Sequence, residues 1–313
     1  MRHVIIDTDP GVDDALALML AFNSPELQVE AVTTVAGNVD QDRAHRNALK
    51  ILEFLGVDGV PIARGAPRPL LREGSNDAEI HGKTGLGDAE LPEPRLKSDG
   101  RSAVEVILEK AGDLGDGLTI IAIGPLTNIA SALLVEPRLM DGVSGLVVMG
   151  GAFNLTPYGH GNVTPVAEFN IWYDPEAAKV VFDSGMPVTA VGLDVTTNPD
   201  NRLSRGLFEE IEGLGTRRAR LVADLCRGFI RRFGGVSLHD PLAVAAALDP
   251  GLVRTEPYAV DVETVSELTR GQTIVDRRDP RHVRRRREPN VDVCVSLDGE
   301  RFLKLFMDRV VHG

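Results

Sequence analysis

Short apolar runs alternate along this chain with longer stretches in which apolar positions recur every three to four residues, and the two patterns predict strands and helices in turn. Residues 4–6 predict a short buried strand. Pro10-Gly11 break it, and residues 13–22 open a helix with acids in its first turn. A second strand over 27–35 ends in Ala36-Gly37-Asn38, an amphipathic helix covers 40–55, and a third strand covers 60–63. This β-α-β-α-β order implies a parallel, doubly wound sheet in which ligands bind beyond the carboxyl ends of the strands. The alternation lapses over residues 64–101, rich in Pro, Gly and charge with Ile80-His81-Gly82-Lys83 in the middle. A loop of that length predicts a lid over a site.

The pattern then resumes. A helix is expected near 103–111, a strand over 118–123, a helix opened by Gly124-Pro-Leu-Thr127-Asn128, and a strand over 145–149. A second long loop runs to Asn170 and carries Gly161-Asn162 and Glu168-Phe169-Asn170. Asp174-Pro175 reads as an N-cap with Pro at the first helical position, and a strand over 187–193 follows. Helices fill most of 203–232, and Ser237-Leu238-His239-Asp240-Pro241 opens an apolar helix. Strands around 258–265, 273–275 and 291–295 and a helix over 299–311 complete the chain. No repeat and no linker-like shift in composition divides it, so residues 1–313 are expected to form a single α/β domain with a mostly parallel sheet and helices on both faces.

Composition narrows the partners. The chain has 34 Lys and Arg against 46 Asp and Glu, a net charge of −12, which opposes nucleic acid or an anionic membrane as partner. The longest helical apolar run, residues 15–22, is far short of the roughly 20 residues that span a bilayer. Met-Arg-His leads straight into a strand without an apolar signal region, so a soluble, cytoplasmic protein is expected. Cys226 and Cys294 lie far apart with no ligand spacing around either, which argues against a disulfide framework and a thiolate metal site. The basic run from Arg277 to Arg287 reads as a solvated connecting loop.

The candidate chemistry lies at the first corner. Asp7, Asp9, Asp13 and Asp14 fall within eight residues at the end of an apolar run. Alternation places residues 7 and 9 on one side of a strand, and the Pro-Gly turn returns Asp14 toward them. Carboxylates brought together raise each other's pKa or share a cation, and a hard divalent metal is the economical answer. Helix-dipole complementation explains Asp13 and Asp14 but says nothing of Asp7 and Asp9. An EF-hand fails, because Gly11 is fifth counting from Asp7. Asp240 before Pro241 reads either as a helix N-cap or as a distant ligand completing the same site.

Asp7-Thr-Asp-Pro-Gly-Val-Asp-Asp14 resembles the signature of the nucleoside hydrolases, the inosine-uridine-preferring type of N-ribohydrolase. Gly124-Pro-Leu-Thr-Asn128, Glu168-Phe-Asn170 and His239-Asp-Pro241 are similar to that family's other motifs, in the same order. The resemblance implies Ca²⁺-dependent hydrolysis of the N-glycosidic bond of purine or pyrimidine ribonucleosides by a homodimer or homotetramer. It implies a Ca²⁺ held by Asp9, Asp14, Asp240 and the main-chain carbonyl of Thr127, with the ion holding the ribose 2′- and 3′-hydroxyls and a water. Asp9 would be general base and His239 general acid toward the leaving base. Asp13 and Asn170 would bind the 2′-hydroxyl, Asn162 and Glu168 the 5′-hydroxyl, with Asn38 beside the acids and His81 near the base.

The chemistry accords with these residue types: an oxocarbenium-like sugar is stabilised by carboxylates, and an imidazole with an ordinary pKa near 6.5 can protonate a leaving nitrogen. With only Lys83 near the motifs, the pocket is expected to be net negative and to refuse 5′-phosphates. Aspartate-nucleophile phosphotransferases of the haloacid-dehalogenase type also place Asp-x-Asp after a first strand. They expect Thr or Val two residues after the second Asp, where this chain has Gly11, and a later Lys that finds no place here. A Ca²⁺-stabilised sugar-binding protein is the third alternative, though a pure binder does not need an imidazole beside a metal acid.

Overall fold

Strand β1 (Arg2–Thr8) is buried from Val4 to Thr8 because it runs between parallel neighbours, β2 (Leu27–Thr34) and β4 (Leu118–Ala122). In this computed structural model, which describes residues 1–74, 78–279, 281 and 287–313, β3 (Ile62–Arg64) borders β2 at the near edge. On the other side β4 is followed by β5 (Gly145–Met149) and β6 (Val188–Val191). Farther on lie β7 (Arg202–Ser204), β8 (Gly235–Ser237), β9 (Val253–Tyr258), β10 (Val260–Val262), β11 (Thr273–Val275) and β12 (Val291–Leu297). Among the described residues the central sheet has eight strands in the order β3-β2-β1-β4-β5-β6-β12-β9. All neighbours are parallel except β9, which pairs antiparallel with β12 at the edge. The order reverses between β1 and β4, so the crevice where an open α/β sheet takes its ligand lies beyond Thr8 and Ala122.

Helices cover both faces. α1 (Val12–Phe22) and α2 (Gln41–Leu55) follow the first two strands, and the short α3 (Ala78–His81) lies in the long loop before α4 (Ala103–Leu114) and α5 (Thr127–Val135). α6 (Phe169–Tyr173), α7 (Pro175–Phe182) and α8 (Leu193–Thr196) flank β6, then α9 (Arg205–Leu214), α10 (Arg217–Phe233), α11 (His239–Leu248) and α12 (Gly299–Phe306) follow. Strand alternation divides the core. Val4 and Ile6 join the side chains of α1, α2, α10 and α11, whereas Ile5 joins those of α4, α5 and α7. α1 packs against the sheet and α11 at once, and its Leu16, Leu18, Met19 and Leu20 are all fully buried.

The expected single-domain α/β architecture with its mostly parallel sheet is what the chain forms, and differences are local. The segment expected as a strand over 258–265 is split, because β9 pairs with β12 while β10 turns away into a hairpin with β11. The helical stretch over 203–232 is broken at Gly215, whose φ of 63° ends α9 before Thr216 caps α10 by accepting the Ala219 N–H. Asp240 is not an N-cap: α11 starts at His239 with Leu238 in the cap position, which leaves the Asp240 carboxylate free of capping. Asp174 does cap α7, accepting the Ala177 N–H at 3.0 Å. Cys226 and Cys294 are buried free thiols. In the basic run Arg278 pairs with Asp276 and Arg287 with Asp183 and Asp261, while residues 280 and 282–286 lie outside the described residues. No helix among the described residues is long and apolar enough to cross a membrane.

Because α1 is wedged between sheet and α11, Leu18→Ala should open a cavity that neither layer can close. The expected loss is about 3 kcal/mol of unfolding free energy, read by denaturant titration. A loss below about 1 kcal/mol would mean that α1 is not clamped from both sides.

Candidate active site

A cavity of about 570 Å³ opens beyond the carboxyl ends of β1 and β4, within the roughly 300–1,000 Å³ of small-molecule sites. Asp13 and Asp240 meet in its wall, which Asn38, Ile123 and Asn170 also line. His81 and Ile80 enter from the long loop, Phe229 and Phe233 from α10, and Asn162 and Glu168 from the loop before α6.

Asp9 stands just past the end of β1. Its Oδ2 accepts the Asn38 backbone N–H at 2.6 Å, while its Oδ1 is buried without a hydrogen-bond partner. Asp14 is held by donors on both oxygens: Oδ1 takes the Thr8 hydroxyl at 2.6 Å and the Asp9 N–H at 3.2 Å, and Oδ2 takes the Gly11 N–H and Asn38 Nδ2, each at 2.9 Å. It therefore closes the start of α1 as well as facing the cluster. Ligand oxygens of Asp13, Asp14 and Asp240 lie within 4.8 Å of one another, the one such group of acids, histidines and cysteines among the described residues. Burial, reinforced by Asp14, holds Asp9 well above the usual carboxylate range and pushes Asp13 up to about 7. Asp240 is raised by burial and by Asp13, Asp14 and Asp9.

Two expected members are elsewhere. Alternation turns Asp7 away from Thr8 and α1, so its Oδ1 accepts Thr33 Oγ1 at 2.5 Å and Asn128 Nδ2 at 2.7 Å beneath α5. Thr127 is the first residue of α5. Its hydroxyl donates to Asp174 at 2.8 Å, its carbonyl takes the Ser131 hydroxyl at 2.7 Å, and it does not line the cavity. The residue of that segment that does is Ile123, at the end of β4. Sequence reasoning missed it because a carbonyl leaves no trace in side-chain identity, although the strand-end rule marks the position.

The other expected contacts line the cavity. Asn170 is held by Nδ2 donating to the Ile123 and Met149 carbonyls, both at 3.0 Å, which leaves its Oδ1 as an acceptor. Glu168 caps α6 through the Asn170 and Ile171 N–H groups and also accepts the Gly151 N–H, and burial raises its pKa. Asn162 Oδ1 accepts the Phe169 N–H at 3.0 Å, leaving its amide hydrogens free to donate.

Both imidazoles depart from the ordinary value near 6.5. Burial lowers His81 to about 4, and burial with the nearby His81 lowers His239 to about 4. At neutral pH each is uncharged. The Val12 N–H donates to His81 Nδ1 at 3.1 Å, and His239 Nδ1 lies 2.8 Å from Thr196 Oγ1. His81 also packs edge-on against Phe229, with centroids 5.9 Å apart. Arg202 and Arg232 line the cavity as well, two cations beyond the Lys83 that the sequence motifs suggested, alongside the acids Asp13, Glu168 and Asp240. Helix α10, where the sequence offered no assignment, thus supplies aromatic and basic wall.

The model of the inosine-uridine preferring nucleoside hydrolases matches residues 4–304. The chain belongs to that family. It is 39% identical to the pyrimidine-specific ribonucleoside hydrolase RihA of Salmonella schwarzengrund (strain CVM19633) over 98% of this chain and 97% of that protein. It is 38% identical to the inosine-uridine preferring nucleoside hydrolase of Leishmania major over 98% and 96%. Among solved structures, the purine-preferring ribonucleoside hydrolase from Gardnerella vaginalis superposes with a TM-score of 0.89 at 37% identity, covering 99% of this chain and 98% of that one. The match over nearly the whole chain removes the haloacid-dehalogenase alternative, which shared only the first corner. This nucleoside hydrolase carries an all-oxygen donor set in its acidic cluster, which fits a hard divalent cation. The orphaned Asp9 Oδ1 is a further oxygen that such an ion or its ligands would satisfy.

Cation binding at a cluster of desolvated acids should stabilise the fold by mass action, about 2.7 kcal/mol at a hundredfold excess over Kd. Millimolar CaCl₂ added to chelator-treated protein is expected to raise the melting temperature by several degrees, with no such rise in Asp240→Asn. An unchanged wild-type melting temperature would rule out a divalent site here.

Proposed function

We propose that this nucleoside hydrolase cleaves the N-glycosidic bond of ribonucleosides, purine or pyrimidine, to ribose and free base, with Ca²⁺ as its resident ion. The observation that carries the proposal is the cluster of Asp13, Asp14 and Asp240, of which Asp13 and Asp240 line a cavity that also has aromatic and imidazole side chains in its wall, with the buried, unpartnered Oδ1 of Asp9 next to Asp14. Asp14 and Asp240, with Asp13 beside them in the cluster, would hold the ion together with Asp9, whose carboxylate interacts with those of Asp14 and Asp13, and the strand-end carbonyl of Ile123 would stand in the place expected of Thr127. When bound, Ca²⁺ anchors the sugar hydroxyls and makes a water more acidic.

In the proposed reaction C1′–N breaks, the water oxygen bonds to C1′ and one of its protons passes to Asp9, while the departing base leaves hydrogen-bonded to neutral His239 and takes its proton from solvent water, to which Asp9 returns the one it accepted. The Asn38 N–H holds Asp9 Oδ2, which leaves Oδ1 as the basic atom. The carboxylates offset the positive charge that develops on the sugar ring. Asp13 accepts from the 2′-hydroxyl, with Asn170 Oδ1 beside it as an alternative acceptor, and Asn162 and Glu168 take the 5′-hydroxyl. His81, on the long loop that acts as a lid, and His239 face the base as neutral imidazoles. His239 then acts as a hydrogen-bonding acid from its uncharged form, not from imidazolium. The resemblance also supports a cytoplasmic homodimer or homotetramer.

Uridine and inosine should be hydrolysed, p-nitrophenyl phosphate should not, and Asp9→Ala should abolish turnover of every nucleoside. 2′-Deoxyuridine should lose about a hundredfold or more in kcat/KM, since Asp13 and Asn170 lose their partner. Equal values for uridine and 2′-deoxyuridine would overturn the sugar assignment.

The pH dependence follows from the lowered imidazoles. A His held at about 4 is neutral from pH 5 upward, and a nearby cation lowers it further. The ratio of kcat/KM for inosine to that for p-nitrophenyl riboside should therefore stay flat between pH 6 and 8. A fall in that ratio centred near 6.5 would show that the imidazolium form is the acid.

A further inference from the structure

We infer that Thr196 is a positioning residue for His239, fixing the tautomer that turns an Nε2–H donor toward the leaving base. This rests on the proposed role of His239 at the leaving group. His239 is half-buried and lines the cavity, whereas Thr196 is fully buried behind it and does not. Their contact, Nδ1 to Oγ1 at 2.8 Å, is the one hydrogen bond of the Thr196 hydroxyl among the described residues.

That decides the direction of the bond. If Nδ1–H donated, the hydroxyl hydrogen of Thr196 would be buried without an acceptor, a penalty of the size of a lost hydrogen bond. If Thr196 donates, every hydrogen of the pair is used, Nδ1 carries the lone pair, and the proton sits on Nε2, the nitrogen turned to the cavity. The purine ring nitrogens and pyrimidine carbonyls offer acceptors to that N–H.

The surroundings hold the pair in register. Asn201, also fully buried, donates its Nδ2 to the Thr196 carbonyl at 2.7 Å and to the Leu238 carbonyl at 3.3 Å, and its own carbonyl accepts the Leu238 N–H at 3.2 Å. One amide thereby clamps the end of α8 to the residue that precedes His239. Thr196 and Asn201 lie outside every motif that the sequence displayed, since a hydroxyl behind an imidazole is recognisable only after folding.

Thr196→Val keeps the side-chain shape and removes the donor. Its kcat/KM on inosine should fall about tenfold, the scale of one lost hydrogen bond, with p-nitrophenyl riboside changed less than about twofold. Thr196→Ser should restore inosine cleavage. A purely structural role would move both substrates together. His239→Ala separates the layers. Equal losses on both substrates in that variant would remove the leaving-group role and this inference with it, whereas a selective loss there without one in Thr196→Val would overturn Thr196 alone. In the wild-type protein the imidazole ¹⁵N shifts of His239, assigned by their absence from His239→Gln, should show a bare Nδ1 and a protonated Nε2. A protonated Nδ1 would refute the inference whether or not the variants fold.

Discussion

Asp9, Asp13, Asp14 and Asp240 lose their water at one point of the fold, and the rest of the structure is arranged to make that tolerable. Like charges in a poorly solvated site either take up protons or share a cation, and burial together with the neighbouring acids holds Asp9, Asp13 and Asp240 above the usual carboxylate range. Donors are supplied to the oxygens that face inward: the Thr8 hydroxyl, the Gly11 N–H and both nitrogens of Asn38. Asp9 Oδ1 is left over.

The close packing around Asp9 dictates backbone choices nearby. A Cβ on Gly37 would stand 2.1 Å from Asp9 Oδ2, and one on Gly124 would stand 2.8 Å from Asp9 Oδ1. Both glycines terminate strand–loop junctions at the crevice where the strand order reverses, so the sheet can bring its backbone against the carboxylate. The sheet therefore supplies a rigid floor, and the long loop and α10 supply a wall whose two parts meet through His81 and Phe229.

Much of this was legible in the chain because the signals are local. The apolar run of β1, the Pro10-Gly11 break and the acids after it need only a few residues to be read, and strand–helix alternation then yields a parallel sheet with the acids at its ligand-binding edge. What was lost depends on direction and burial. Asp7 looks equivalent to Asp9 in sequence, yet Asp7 is still in the strand and bonds Thr33 and Asn128, whereas β1 ends at Thr8 and Asp9 escapes the alternation that would keep the two together. Thr127 is conspicuous as a side chain, whereas the cavity uses the anonymous Ile123. An imidazole carries its ordinary pKa in sequence and acquires its neutral state only from the fold. The basic and aromatic wall of α10 could not be assigned because its residues reach the cavity through helix placement, not through a motif.

The claim that the acids form a calcium-holding floor for the sugar is tested most directly by a crystal structure of the protein with Ca²⁺ and ribose, using anomalous scattering to locate the ion. The expected result is one ion at oxygen-ligand distance, roughly 2.3–2.6 Å, from Asp14, Asp240, Asp9 and the Ile123 carbonyl, with the ribose 2′- and 3′-hydroxyls against it. An ion bound elsewhere, or a ribose held in the cavity with no ion at the acids, would contradict it.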